Sequence, residues 1–330
     1  MAKETSLFAS RLRMELRARN RLHARGRLHV ESHGNPPVIV YAPEEDTRHG
    51  NFFDAAYAAI TARPEWSRRF DKIHAQARSL PRAERRWREL DSSMSSDALL
   101  MNVFCTPEVT GALEVHRMLG VDAEEVPEFG WRARVPLANG RFDRTEVDMH
   151  WGELLVEAKL TESDFQNCHS MLIEPYRDLD VVFERELLPR VQIPIGRPKA
   201  LGEFPEDYSQ EEIIVPADEW QPQTSEIQRK FISGYASYQL IRNVLAANAQ
   251  NASFCVIHDA RRPDLREAWF DVMTAVKSAA MRVRLKVLTW QELAAVLPED
   301  LREFLRAKYG IVAPGEAAPP VEAMSGLYAL

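Results

Sequence analysis

Polar and apolar residues alternate from Arg144 to His150 and again from Glu153 to Leu160, with Trp151-Gly152 between the two runs. A two-residue period is that of β-strands, and a glycine in the connection can take the positive φ of a tight turn. With Trp151-Gly152 as the turn, Glu146 falls opposite Glu157, Asp148 opposite Leu155 and Arg144 opposite Lys159; a longer turn of even length keeps that parity, and an odd one breaks it. Opposed residues share a face. Glu146, Asp148, Glu157 and Lys159 therefore project together, and Val147, Met149, Leu154, Val156, Ala158 and Leu160 turn into a core.

Elsewhere the period is helical or broken. Leu7, Phe8, Leu12, Leu16 and Leu22 recur among arginines from residue 7 to 25, a helix with a basic face that fits either nucleic-acid contact or plain solvation. Residues 36–42 read as a short strand, and 51–78 as two helices parted at Pro64. Ser and Asp residues between Asp91 and Asp97 cap a helix through Cys105, and Pro107 opens another reaching Leu119. Trp131 to Leu137 alternates as a first core strand, joined through Ala138-Asn139-Gly140 to the hairpin. Prolines at 175, 189, 194, 198, 205, 216 and 222 mark an insertion, spanning about 165–224. A helix is expected from Ser225 to Asn248, a buried strand at Phe254–Ile257, a helix over 263–280, a strand at Leu285–Leu288, and short helices ending at Gly310. The strand–helix–strand stretch has the length of a parallel crossover. Residues 313–330, rich in Pro and Ala, are expected to be disordered.

Composition narrows the class. At 330 residues, 45% hydrophobic and 28% charged, the chain is of globular type. It has no apolar run long enough to span a bilayer and no secretory signal core, so a cytoplasmic location is expected. Its 3 cysteines are too scattered for a disulfide framework or a zinc site. The net charge of −7 argues against a protein that coats DNA nonspecifically, yet charge is unevenly spread: residues 1–35 hold 8 Lys/Arg against 3 acids, Arg82 to Arg88 is basic, and 203–226 is acidic.

The clustered carboxylates are the chemical signal. Such a group on one face is tolerated when a cation sits among it, and a divalent metal is the natural candidate. Asp148, Glu157 and the Ala158 carbonyl offer hard oxygen ligands suited to Mg2+, or Mn2+, with room left for water and a phosphate oxygen. Lys159 could orient or activate the water, or offset charge in the transition state. The alternative is a solvated hairpin with ordinary cross-strand ion pairs. A chain with 8 Lys against 34 Arg nonetheless places one lysine here, the only one with an acid two residues before it.

Asp148 with Glu157-Ala158-Lys159 on adjacent strands resembles the PD-(D/E)xK nuclease superfamily, and most closely its bacterial restriction-type endonucleases. Ser95-Ser96-Asp97 with Asn102 resembles a Ser-Ser-Gln stretch of that family, with aspartate replacing glutamine, and Thr161-Glu162-Ser163-Asp164-Phe165 is similar to the segment after its lysine. The resemblance covers about 91–310. It implies an α/β fold with a restriction-endonuclease-like core: αβββαβ, a mixed central sheet flanked by helices, with a mainly helical N-terminal extension over 1–90 and the core over 91–312. It implies Asp148, Glu157 and Lys159 as catalytic residues, Glu146, Glu114, Thr161 and Gln239 as accessory candidates, and Tyr235, Tyr238 and Arg242 as DNA-binding candidates.

The function expected is thus metal-dependent hydrolysis of DNA phosphodiester bonds by an endonuclease of genome defence or DNA processing. RNA stays open as substrate, and a homodimer is suggested by analogy. A catalytically silent nucleic-acid-binding or assembly module on the same fold is the alternative, and an unrelated carboxylate hydrolase is a third reading.

Overall fold

The computed structural model describes residues 2–32, 36–44, 48–73, 88–122, 125–194 and 231–320. Most of the basic run at Arg82–Arg88, the acidic stretch 203–226 and residues 321–330 lie outside them. Five strands form the main sheet: β1 Glu128–Pro136, β2 Phe142–Trp151, β3 Leu154–Ala158, β4 Ser253–His258 and β5 Leu285–Thr289. Their spatial order is β5-β4-β3-β2-β1, with β1, β2 and β3 antiparallel in turn and β3, β4 and β5 parallel. The protein is a mixed α/β fold with helices on both faces of this sheet.

One face is covered by α5 (Tyr238–Gln250) and α6 (Pro263–Ala275), which pack Leu240, Ile241, Val244, Leu265 and Trp269 onto Val147, Leu155, Phe254 and Val256. The other face carries α1 (Ala2–His23), α3 (Ser96–Phe104), α4 (Leu113–Leu119) and α7 (Glu299–Tyr309), whose Leu12, Leu16, Leu99, Val115 and Leu305 meet Met149, Leu154, Val156, Ala158 and Ile257; α2 (Asp54–Ala62) packs beside α3, its Ala56 and Ile60 on Ala98 and Met101. β4 is therefore apolar on both sides, as its continuous apolar run demands. The first helix belongs to this core rather than to a separate extension. α3 starts where its cap was expected, with Ala98 N donating to Ser95 Oγ at 3.1 Å. Among the described residues no helix is long and apolar enough to cross a membrane.

Two local readings change. The turn is Gly152-Glu153, not Trp151-Gly152: Trp151 pairs Leu154 and Met149 pairs Val156, and Gly152 takes φ +59°. The even shift keeps the parity of Met149 with Val156, and the register carried one step further sets Asp148, not Glu146, opposite Glu157; Val147 and Met149, expected on one face, pack on opposite sides of the sheet. The helix expected from Ser225 begins at Tyr238. Residues 225–230 lie outside the described residues, and Phe231–Tyr235 is a strand paired antiparallel with Arg190–Pro194 and with Cys168–His169. Ser237, at φ 58°, turns the chain from that strand into α5. Residues 313–320, expected to be disordered, lie against α1 and α7: Arg19 donates to the Pro319 carbonyl at 3.0 Å, and Arg306 pairs Glu316 at 2.9 Å.

α1 and α7 are joined by a buried polar knot. Lys308 is fully buried and donates to Asn51 Oδ1 at 2.6 Å and Asn20 Oδ1 at 3.1 Å, with no carboxylate partner among the described residues. Burial, then the charge of Arg27, pulls its pKa well below the lysine range. His23 sits beside it, its Nε2 3.1 Å from the Gly50 carbonyl, and burial followed by the charges of Lys308 and Arg27 holds its pKa well below the usual histidine value.

Below about pH 6.5, the unfolded-state pKa of histidine, an unfolded chain takes up a proton that the folded His23 refuses. Stability should therefore fall as pH drops through that value, and thermal unfolding from pH 8 to 5.5 should show a shallower fall for His23→Gln. Equal slopes for the two proteins would count against the assignment.

Candidate active site

The β2–β3 ladder stops at Met149↔Val156, and the next backbone donor of β3, Ala158 N, is taken by a side chain instead: it donates to Asp148 Oδ2 at 2.8 Å. The strands part there because β1 and β2 both turn over at Gly130 and Asp148. Phe129 and Met149 pack on the α3 side, whereas Trp131 and Val147, two residues on, pack on the α5 side. Gly130 takes φ +63°, and a Cβ on it would collide with the Arg69 guanidinium. Asp148 thus stands at the mouth of a split between two strands, with its second oxygen free of any hydrogen bond among the described residues. Val147 and Met149, expected in one core, serve two.

Glu157 and Lys159 are both buried. Lys159 Nζ donates to Glu157 Oε1 at 2.6 Å, and Asn243 of α5 donates to Glu157 Oε2 at 2.8 Å while its own carbonyl oxygen accepts from Thr145 Oγ1 at 3.4 Å. The main chain of Lys159 is pinned from both sides, its N–H by the Ile257 carbonyl at 2.8 Å and its carbonyl by Trp290 Nε1 at 3.0 Å. Neither residue can drift without breaking sheet bonds.

A second acidic layer lies beside the first. Arg69 donates to Glu146 at 2.6 Å and to Asp97 at 2.7 Å, and Lys72 stands 3.4 to 3.5 Å from both and 3.1 Å from Glu89. Glu162, just past the lysine, accepts from Leu160 N at 2.7 Å and from Ser96 Oγ at 2.5 Å. Arg262, fully buried and paired with Asp264, donates to the Glu162 and Ser163 carbonyls at 2.6 and 3.0 Å and so holds this loop.

The charges sort themselves accordingly. Burial, then Glu157 and Asp97, raises the Asp148 pKa well above the carboxylate range, against the opposing pull of Lys159 and the Ala158 N–H. Burial alone would lower Lys159, but Glu157, Glu162 and Asp148 outweigh it and leave the ammonium more strongly protonated than a free lysine. Asp97 and Glu146 are lowered: burial opposes ionisation, yet Arg69 and Lys72 prevail. Glu89, buried beside Asp97 and only partly offset by Lys72, is pushed up to about 7.

The structure brings together Asp148, Glu157, Ala158 and Lys159. Glu146 stands in the adjoining arginine-bound layer. Thr161 is buried, its hydroxyl reaching the Met94 carbonyl at 3.3 Å. Gln239 lies one helical turn before Asn243 on α5, and its Oε1 is buried without a partner among the described residues. Glu114 is not drawn in; it is exposed on α4. Tyr235, Tyr238 and Arg242 are buried, Tyr235 under the Arg190 guanidinium and Tyr238 bonded by Arg242 at 3.3 Å, so none offers a surface to DNA. Sequence reasoning missed Arg69, Lys72, Asn243 and Arg262. The Ser-Ser-Asp stretch did flag Asp97, and its aspartate is bound by Arg69.

Sheet, helices and this centre define a mixed α/β protein with paired carboxylates and a lysine where two strands separate. The chain belongs to the family described as restriction endonuclease associating with ARP, whose model matches residues 17–310. No curated protein and no solved structure matches it. The match begins at Arg17, within α1, and so takes in most of the N-terminal segment as well as the expected 91–310.

Arg69→Met should leave Asp97 and Glu146 facing each other with only Lys72 between. A cost of roughly 3 to 5 kcal/mol is expected from breaking a buried pair, read by urea unfolding. A loss under about 0.5 kcal/mol, the scale of a surface change, would show that Arg69 is not the counter-ion.

Proposed function

We propose that this chain is a metal-dependent nuclease that hydrolyses DNA phosphodiester bonds, its sheet being a restriction-endonuclease-like core and its role lying in genome defence or DNA processing. The observation that carries the reading is the meeting of Asp148, Glu157 and Lys159 at the strand split. Family membership supports it.

Asp148, Glu157 and the Ala158 carbonyl would hold Mg2+ or Mn2+. Among the described residues no group of three or more His, Cys, Asp or Glu is arranged for a metal, so the donor set is two carboxylates and a carbonyl, which leaves positions for water and a phosphate oxygen. Burial, then the charges of Glu157 and Asp97, raises Asp148, and a divalent cation bound there would favour its ionised form. Such an ion supplies Lewis acidity and lowers the pKa of bound water.

The chain's own groups have defined parts. Asn243 fixes the Glu157 carboxylate so that one oxygen stays toward Lys159. Lys159, kept cationic by its acidic neighbours, acts as a hydrogen-bond donor to a phosphate oxygen or the incoming water rather than as a base. Arg69 neutralises Glu146 and Asp97, leaving Asp148 and Glu157 as the ionisable pair facing the split. Two copies acting together would suit a double-strand cut.

Purified protein should cut plasmid, linear or single-stranded DNA with Mg2+ or Mn2+ and not with EDTA. Lys159→Ala and Asp148→Asn, checked for folding by circular dichroism, should each lose at least about 100-fold in rate, the scale of a transition-state electrostatic contact. Binding without cutting by the wild type would favour the silent module instead. Neither activity would return the carboxylate-hydrolase reading.

A further inference from the structure

The arginines of α1 are not absorbed by the site. Between Arg11 and Arg27 the chain carries seven arginines and a single acid, Glu15, in a protein of net charge −7. Arg13, Arg17 and Arg21 follow one another at four-residue steps, so their Cα atoms rise about 6 Å apiece along one side of the helix, and Arg25 continues the line in the turn beyond. Leu12, Leu16 and Asn20 face the core; Arg13 and Arg17 are half-buried at its rim, and Arg21 and Arg25 are exposed.

Like charges at this spacing repel and weaken a helix. The effect is visible at Arg17, whose pKa is lowered by burial and then by Arg13 and Arg21. Among the described residues no carboxylate pairs with Arg13, Arg17 or Arg25, and Arg21 meets only Glu31, at 3.9 Å with both side chains more than half exposed, a contact of little worth. Off the line, Arg19 binds Glu15 and two carbonyls, and Arg27 bonds the His23 carbonyl.

The stripe is also tied to the site. Glu15 pairs with Arg261 at 2.9 Å, and the next residue, Arg262, holds the Glu162-Ser163 loop directly after Lys159. The Asp259–Arg262 corner at the end of β4 thus spans from α1 to the catalytic loop.

We propose that Arg13, Arg17, Arg21 and Arg25 form a docking rail for the phosphate backbone of a nucleic acid whose neighbouring segment enters the strand split. This rests on the nuclease reading for the identity of the polyanion. A row of cations at regular rise, three of them without a carboxylate partner among the described residues, on a helix joined to the site through Glu15 and Arg261, fits a repeating anion better than a single one.

The test is fluorescence anisotropy of a labelled DNA duplex in EDTA, where no cutting occurs, across a series of KCl concentrations. Wild type is compared with the Arg13→Gln/Arg17→Gln/Arg21→Gln triple variant and with Arg177→Gln, a charge removed from an exposed pair elsewhere. The triple variant should bind more weakly, and its plot of log affinity against log salt should be flatter by nearly three units, about 0.9 per lost phosphate contact. Arg177→Gln should match wild type. Wild-type binding with an unchanged slope in the folded triple variant overturns the rail alone. No wild-type binding to duplex, single-stranded DNA or RNA overturns the rail and the nuclease reading together. Triple-variant loss confined to polyglutamate makes the occupant an acidic protein and overturns the nucleic-acid assignment.

Discussion

A carboxylate withdrawn from water must find a cation or a donor, and the middle of this sheet gathers Asp97, Glu146, Asp148, Glu157 and Glu162 within one neighbourhood. Everything around them answers that demand. Arg69 and Lys72 reach in from the N-terminal segment, Lys159 from β3, Asn243 from α5, and Ser96 from the start of α3. Elements distant in sequence are locked together by the need to settle charge, not only by apolar packing. The compensation is unequal. Glu146 and Asp97 receive an arginine, whereas Asp148 receives a single backbone N–H, and burial followed by its acidic neighbours raises its pKa well above the carboxylate range. Electrostatic strain is thereby concentrated at the one place where the strands open.

How much of this could be read in advance depends on the range of the interaction. The nearness of Asp148, Glu157 and Lys159 was legible because strand periodicity is local and survives an even shift of register; the reversal at Asp148, which sends Val147 and Met149 to opposite faces and parts Glu146 from Glu157, was not. The buried strand at Ser253–His258 and the capped helix at Ser96 were legible for the same reason. The start of α5 was not. Ile227, Phe231 and Tyr235 recur at helical spacing, but Phe231–Tyr235 is claimed by pairing with Arg190–Pro194, a tertiary partner that overrides local pattern. Arg69 could not be read at all, since it meets Glu146 across 77 residues and sits in a short turn with no motif of its own.

The reversal of β1 and β2 at Gly130 and Asp148 explains why one alternating strand serves two cores. Before the break β2 feeds the α5 side, and after it the α3 side. The carboxylate at the pivot belongs to neither and stands at the split between the strands. Gly130 makes the pivot compatible with Arg69, so the backbone conformation and the charge compensation are two aspects of one local solution.

The knot of Lys308 with Asn20 and Asn51 has a consequence for synthesis. Its partners stand 288 and 257 residues before it, so α1 leaves the ribosome long before the lysine that completes its packing exists. Until α7 emerges, Asn20 and Asn51 meet only their nearer partners, the Leu16, Leu90 and Ser92 carbonyls and the Tyr41 hydroxyl, and lack the lysine that joins them to each other. Contacts of such sequence separation slow folding, and nascent chains of this protein should depend on a holding chaperone until nearly the last turn of α7 has been made.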